Sequence, residues 1–297
     1  MILTNYEKYY LLLHTNFLIL ILICIGVILS YLTVAVISKI MLTPLGIKLP
    51  FVDSLLITGV TAFYNLITPF KGGMAVRALY LKKKYDFAYT DFIATLAASY
   101  IIIFLVAGLT GLASSWWIYN QTGQFSYLVM LIFAGATASM FAIVVIAPKF
   151  VEPKNRWIGK FVRVINGWHL IRKNKRLVYS IGIISVIQLL IASMMLVLQF
   201  RTLGYNLSIS QGLFISSVGS LSVLIAVTPA GLGINEAVTV FSAAAIGITS
   251  EQSLAAALLG RIVSVVVLFI LGPICTYLLL KKEPAVKKEL AKQKKKR

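Results

Sequence analysis

Long apolar runs broken by short polar stretches organise this chain. Apolar segments fall near residues 16–41, 51–69, 91–112, 126–147, 178–200, 211–229 and 252–280, with shorter ones at 73–81 and 233–247. Several reach the roughly 20 residues a helix needs to cross hydrocarbon. The first is too long for the apolar core of a signal peptide and counts as a span. Each short segment follows a break, at Thr68-Pro69 and at Thr228-Pro229. The pattern predicts an all-α fold, a polytopic integral membrane helical bundle of six to eight spans.

The two halves repeat. A shift of 160 residues lays Thr68-Pro69-Phe70-Lys71-Gly72-Gly73 over Thr228-Pro229-Ala230-Gly231-Leu232-Gly233, Asp91 over Glu251, and segment 16–41 over 176–201. Each half reads as long span, apolar segment, Thr-Pro break, short segment, acid, long span. Repeats of this kind define architecture. They predict a single transmembrane domain over 1–297, with a first repeat at 16–112, a linking span at 126–147 and a second repeat at 178–280.

Two layouts satisfy this pattern. In one, each broken segment pair is a re-entrant hairpin returning to its own side, the linking span inverts the second half, and the N-terminus lies outside. In the other, the N-terminus lies inside and the chain crosses eight times. There, 233–247 is a short span and 73–84 an interfacial helix. Repeat symmetry and the shortness of 233–247 favour the hairpins.

Composition supports the membrane reading. Of 297 residues, 59% are hydrophobic and 12% charged, where a soluble domain carries about 25% charged residues. The net charge of +19 would suggest nucleic acid in a soluble protein, but its placement argues otherwise. Residues 148–177 carry nine Lys/Arg against one acid, and the tail 281–297 nine against two. Both flank spans, so the positive-inside rule and anionic headgroups account for them, and both are expected to be cytoplasmic. The uncharged stretch 113–125, with Trp116, Trp117 and Tyr119, reads as an outer loop with an aromatic belt. No nucleic-acid partner is expected. Cys24 and Cys275 read as packing residues, and His14 and His169 are too far apart for a metal site; no metal and no cofactor are expected.

Candidate chemistry gathers at the breaks. Backbone at membrane depth must be satisfied internally, so a Pro/Gly break there lines protein or a wet cavity, and matched breaks point to a midplane site. A plainer reading ends helices at the interface at Pro69 and Pro229. Glu236, beside Asn235, lies three residues after Gly233; Arg77 lies four after Gly73; Arg261 lies inside the last long helix. Charges in hydrocarbon cost about 2.5–3.5 kcal/mol or more, so they pair inward. Glu236 is expected to pair with Arg77 or Arg261, leaving the other arginine for an anionic ligand; alternatively, the pair only pins the bundle. Lys71, Gly72 and Gly73 combine a cation with backbone N–H groups at a helix start, a phosphate-binding combination, although Lys71 also suits an interface. Asp53, Asp91 and Glu251 read as helix-start capping residues. Lys82, Lys83 and Lys84 read as an interfacial anchor, with Lys84→Gln expected to change little. No catalytic constellation of histidine, nucleophile and carboxylate is present, so a transporter rather than an enzyme is expected.

The stretch Thr68 to Ala78, with Gly72-Gly73 and Arg77, and the stretch Thr228 to Ala237, with Pro229, Gly231, Gly233 and Glu236, followed by Gly260-Arg261, resemble the transmembrane region of the lysylphosphatidylglycerol synthase/flippase family. The resemblance spans nearly the whole chain. It implies a lipid-handling module, a flippase for aminoacylated phosphatidylglycerol in the best-understood members, joined there to a cytoplasmic transferase domain. Here the sequence stops after the basic tail, so lysyl transfer is not expected. The resemblance and the buried charges together predict binding of an anionic phospholipid or polyprenyl-phosphate-linked lipid for translocation. An integral membrane transferase and a scaffold are the rivals. Anionic membrane lipids are the expected partners; a partner enzyme of lipid or glycolipid synthesis, or a second copy of the chain, fits the same reading.

Overall fold

The computed structural model describes residues 17–123, 127–146, 168, 172, 174–225 and 228–282. The basic segment 148–177 lies mostly, and the tail from 283 wholly, outside the described residues, as do His14 and His169. Among the described residues nine α-helices follow in order: α1 Phe17–Leu42, α2 Phe51–Ile67, α3 Gly72–Tyr85, α4 Tyr89–Thr122, α5 Tyr127–Ile146, α6 Lys175–Thr202, α7 Ile209–Leu221, α8 Ile234–Ala244 and α9 Ser250–Lys282. No strand occurs among the described residues. Five of these described helices, α1, α4, α5, α6 and α9, are long and apolar enough to cross a membrane. The four shorter ones pair as two hairpins. The protein is an all-α polytopic membrane bundle, and large apolar side chains lie exposed along its helices. The extreme is α5, where Phe133 is the one buried residue, as befits a helix covered by lipid.

Hairpin one, α2 and α3, turns at Pro69–Lys71; hairpin two, α7 and α8, turns around Pro229–Gly231. The turns share one backbone path. Thr68 and Thr228 are extended, and Phe70 and Ala230 lie in the left-handed region at φ 53° and 51°. Lys71 and Gly231 follow, at φ 53° and 67°. Holding a residue with a side chain there costs about 1–2 kcal/mol, so Phe70, Lys71 and Ala230 are held by their surroundings.

Packing sets the hairpins end to end. At the open end of hairpin one, Leu56 and Ile57 of α2, Tyr80 and Leu81 of α3, Phe92 of α4 and Leu279 of α9 form one apolar cluster. At the open end of hairpin two, Phe214 and Ile215 of α7, Ala243 of α8, Ile118 of α4 and Ala256 of α9 form another. Helix α4 thus starts in the first cluster and ends in the second, and α9 runs back. With 34 and 33 residues, these helices are about 50 Å long at 1.5 Å per residue. The hairpins point toward each other from opposite ends of the bundle, and their tips touch.

Two expectations change. Trp116, Trp117 and Tyr119 belong to the last turns of α4, which ends only at left-handed Gly123; nothing before that glycine breaks the helix, and lack of charge does not make a loop. Asp53 is buried and bonded to Lys84 Nζ at 2.8 Å and Lys282 Nζ at 3.0 Å. It clamps the open end of hairpin one to α9 rather than only starting a helix. Lys84→Gln therefore removes one partner of a buried carboxylate, contrary to the sequence expectation that little would change.

Candidate functional site between the hairpin tips

Glu236 sits in the first turn of α8, directly after the second break. One carboxylate oxygen, Oε2, accepts the Gly233 N–H at 2.7 Å, which satisfies a donor left open at a helix start. The other, Oε1, accepts Arg261 Nη1 at 2.6 Å. The side chains retain 10% and 17% of their exposure, so this is a largely buried charge-assisted pair. Between the two candidate arginines, geometry selects Arg261. Glycine makes the approach of α6 to α9 possible here: a Cβ on Gly260 would meet the amide of Gln199 at 2.4 Å.

The pair lies on the wall of a cavity of about 400 Å³. Both hairpins and three long helices contribute: Tyr31 from α1, Asn65 from α2, Gln199 from α6, Asn235 and Thr239 from α8, Ser264 from α9. Asn235 also shapes the second tip, donating its amide to the Ala230 carbonyl at 3.0 Å, with Gly231 leaving room for it.

Lys71, half-buried at the first tip, donates through Nζ to the Val223 carbonyl, so the cation joins one break to the other half of the chain. Gly72 and Gly73 pack the hairpin. A Cβ on Gly73 would collide with the Thr61 carbonyl, and one on Gly72 with the Thr68 hydroxyl. Pro229 opens the second turn, Gly231 is buried within it, and Gly233 at φ 80° leads into α8. Arg77 is elsewhere. It lines a separate, smaller cavity with residues of α1 and α4.

The sequence reading missed Tyr31, Asn65 and Gln199. The two amides carried a readable signal, being polar side chains inside long apolar runs; Tyr31 did not, because tyrosine is ordinary in such helices.

These features define a class: a polytopic helical membrane protein in which two proline-broken hairpins meet tip to tip beside a polar cavity. Comparison with protein families then places it. The chain belongs to the family described as the lysylphosphatidylglycerol synthase TM region, whose model matches residues 9–272. That membership gives it a membrane lipid-related function. No curated protein matches the chain.

Proposed function

We propose that this protein moves an anionic lipid headgroup through the membrane by way of the cavity between the hairpin tips. The observation that carries the reading is the placement of the Glu236–Arg261 pair on the wall of a cavity bounded by both hairpins. Such a cavity offers a headgroup polar partners while the acyl tails remain in lipid. Arg261 supplies a planar donor for phosphate, Lys71 a cation at the adjoining tip, and Asn235 and Gln199 amides for the rest of the headgroup. Glu236 holds Arg261 in place when no ligand is bound.

The same proposal includes the layout. The halves are inverted repeats, each contributing a re-entrant hairpin. Support comes from the shared backbone path of the breaks and from the crosswise packing of α2 on α9 and α7 on α4. The open end of hairpin one carries Lys82, Lys83, Lys84, Lys281 and Lys282. It is the cytoplasmic end by the positive-inside rule, and the start of α1 lies at the opposite face.

Vesicles reconstituted with the protein and a fluorescent phosphatidylglycerol test the reading. Bleaching of inner-leaflet lipid by an impermeant reductant, with the lipid recovered unaltered, is expected. A covalently changed lipid would instead favour a membrane transferase. Unchanged lipid that stays in its leaflet would contradict movement.

A further inference from the structure

Arg77 is a buried cation that the proposed translocation does not use. It lies on α3, seven residues from Lys84 and so about 10 Å from the basic end of hairpin one. The residue is 5% exposed. Its guanidinium Nε is a buried donor with no acceptor, and no carboxylate among the described residues lies within salt-bridge distance. Asp53 is paired with Lys84 and Lys282, Glu236 with Arg261 and Asp86 with Lys82, and Asp91, at the start of α4, does not line the Arg77 cavity.

The surroundings are built to take something. Arg77 lines a cavity of about 40 Å³ whose other polar groups are the hydroxyls of Ser38, Thr95 and Ser99. Each hydroxyl donates to a carbonyl of its own helix, Val34, Phe92 and Leu96 respectively. Helix carbonyls of that kind already have a backbone partner, so a hydroxyl can turn into the cavity without orphaning one. The lining then offers a guanidinium and up to three O–H donors and contains no carboxylate. A lone buried charge is strongly unfavourable unless something compensates it, and this donor set compensates with a negative charge.

We infer that Arg77 is the centre of a second anion site, separate from the Glu236–Arg261 cavity and nearer the basic face. The cavity admits a halide or the oxygens of a phosphate group, so the anion comes either from solution or from a lipid headgroup. The inference does not depend on lipid movement. It requires only that the folded chain bind an anion at Arg77.

Thermal unfolding of the full chain in uncharged detergent tests it, in two arms. One replaces sodium gluconate by sodium bromide at constant ionic strength; the other adds phosphatidylglycerol against diacylglycerol. A saturable rise of the midpoint in the bromide arm identifies a free anion, and a rise in the lipid arm alone identifies a headgroup phosphate. In Arg77→Met, which removes the charge and keeps an apolar stem, the bromide rise should vanish and the lipid rise should shrink to what the Glu236–Arg261 cavity contributes. Ser99→Ala keeps Arg77 and should raise the half-saturating concentration about tenfold, the loss expected for one hydrogen bond to a charged group. If Arg77→Met does not fold, that shift decides. No rise in either arm, a bromide rise that survives Arg77→Met, a lipid rise undiminished by it, or an unshifted Ser99→Ala would overturn the inference and leave Arg77 solvated by water alone.

Discussion

Glu236 performs two tasks at once, closing the start of α8 and neutralising Arg261. Glu236→Gln keeps the first and abolishes the second, leaving a guanidinium unpaired; breaking a buried pair commonly costs about 3–5 kcal/mol. We expect Glu236→Gln and Arg261→Gln each to lower the unfolding midpoint. The double variant should be less destabilised than the sum, because the second change removes the stranded charge. Strict additivity in a thermal or denaturant series would mean that the two charges do not interact. At this scale the sequence was partly legible. A carboxylate and two arginines in apolar segments announced a pairing, but not which arginine takes part. Helix α3 leads away from the tip by about 1.5 Å with every residue after Gly72, which carries Arg77 clear of the cavity. Arg261 runs alongside the tip on α9. Residue order alone does not contain that difference.

The helices and breaks were readable because hydrocarbon imposes long apolar runs and proline interrupts them. What the sequence did not reveal was the form of the break. Phe70, Lys71 and Ala230 in left-handed conformation are residues that only tertiary surroundings hold there. The length of α4 was also hidden, since Trp116, Trp117 and Tyr119 look like loop residues until the helix is seen to continue to Thr122. Hairpin one closes on Gly73, which faces the α2 backbone. We expect Gly73→Ala to lower the unfolding midpoint and the yield of folded protein, since the backbone carbonyl of Thr61 cannot give way. Gly182→Ala in α6, where a Cβ meets nothing within 4 Å, should be neutral or stabilise by up to about 1 kcal/mol. Equal midpoints for the two variants would mean that the hairpin is not packed at Gly73.

The paired motifs pointed to a 160-residue repeat and left two layouts standing, because charges constrain which side a loop occupies and not how deep a segment goes. Accessibility of the loop before hairpin one separates them. Lys48 precedes hairpin one and Asp86 follows it, and in the proposed layout both face the cytoplasm. In the eight-crossing layout Lys48 faces outward. With Cys24 and Cys275 replaced, a single cysteine at Lys48 should resist an impermeant thiol reagent added outside intact cells, while one at Asn120 should react. Labelling at Lys48 would contradict the hairpin layout and support the eight-crossing one.

If lipid passes where the hairpin tips meet, fastening the tips together blocks its path. Cysteines at Lys71 and Val223, placed in the background lacking Cys24 and Cys275, would be joined by a reducible bifunctional methanethiosulfonate. Movement of fluorescent phosphatidylglycerol would then be followed in vesicles before and after reduction. Cross-linking is expected to stop movement and reduction to restore it. Undiminished movement in the fully cross-linked protein would contradict passage between the tips.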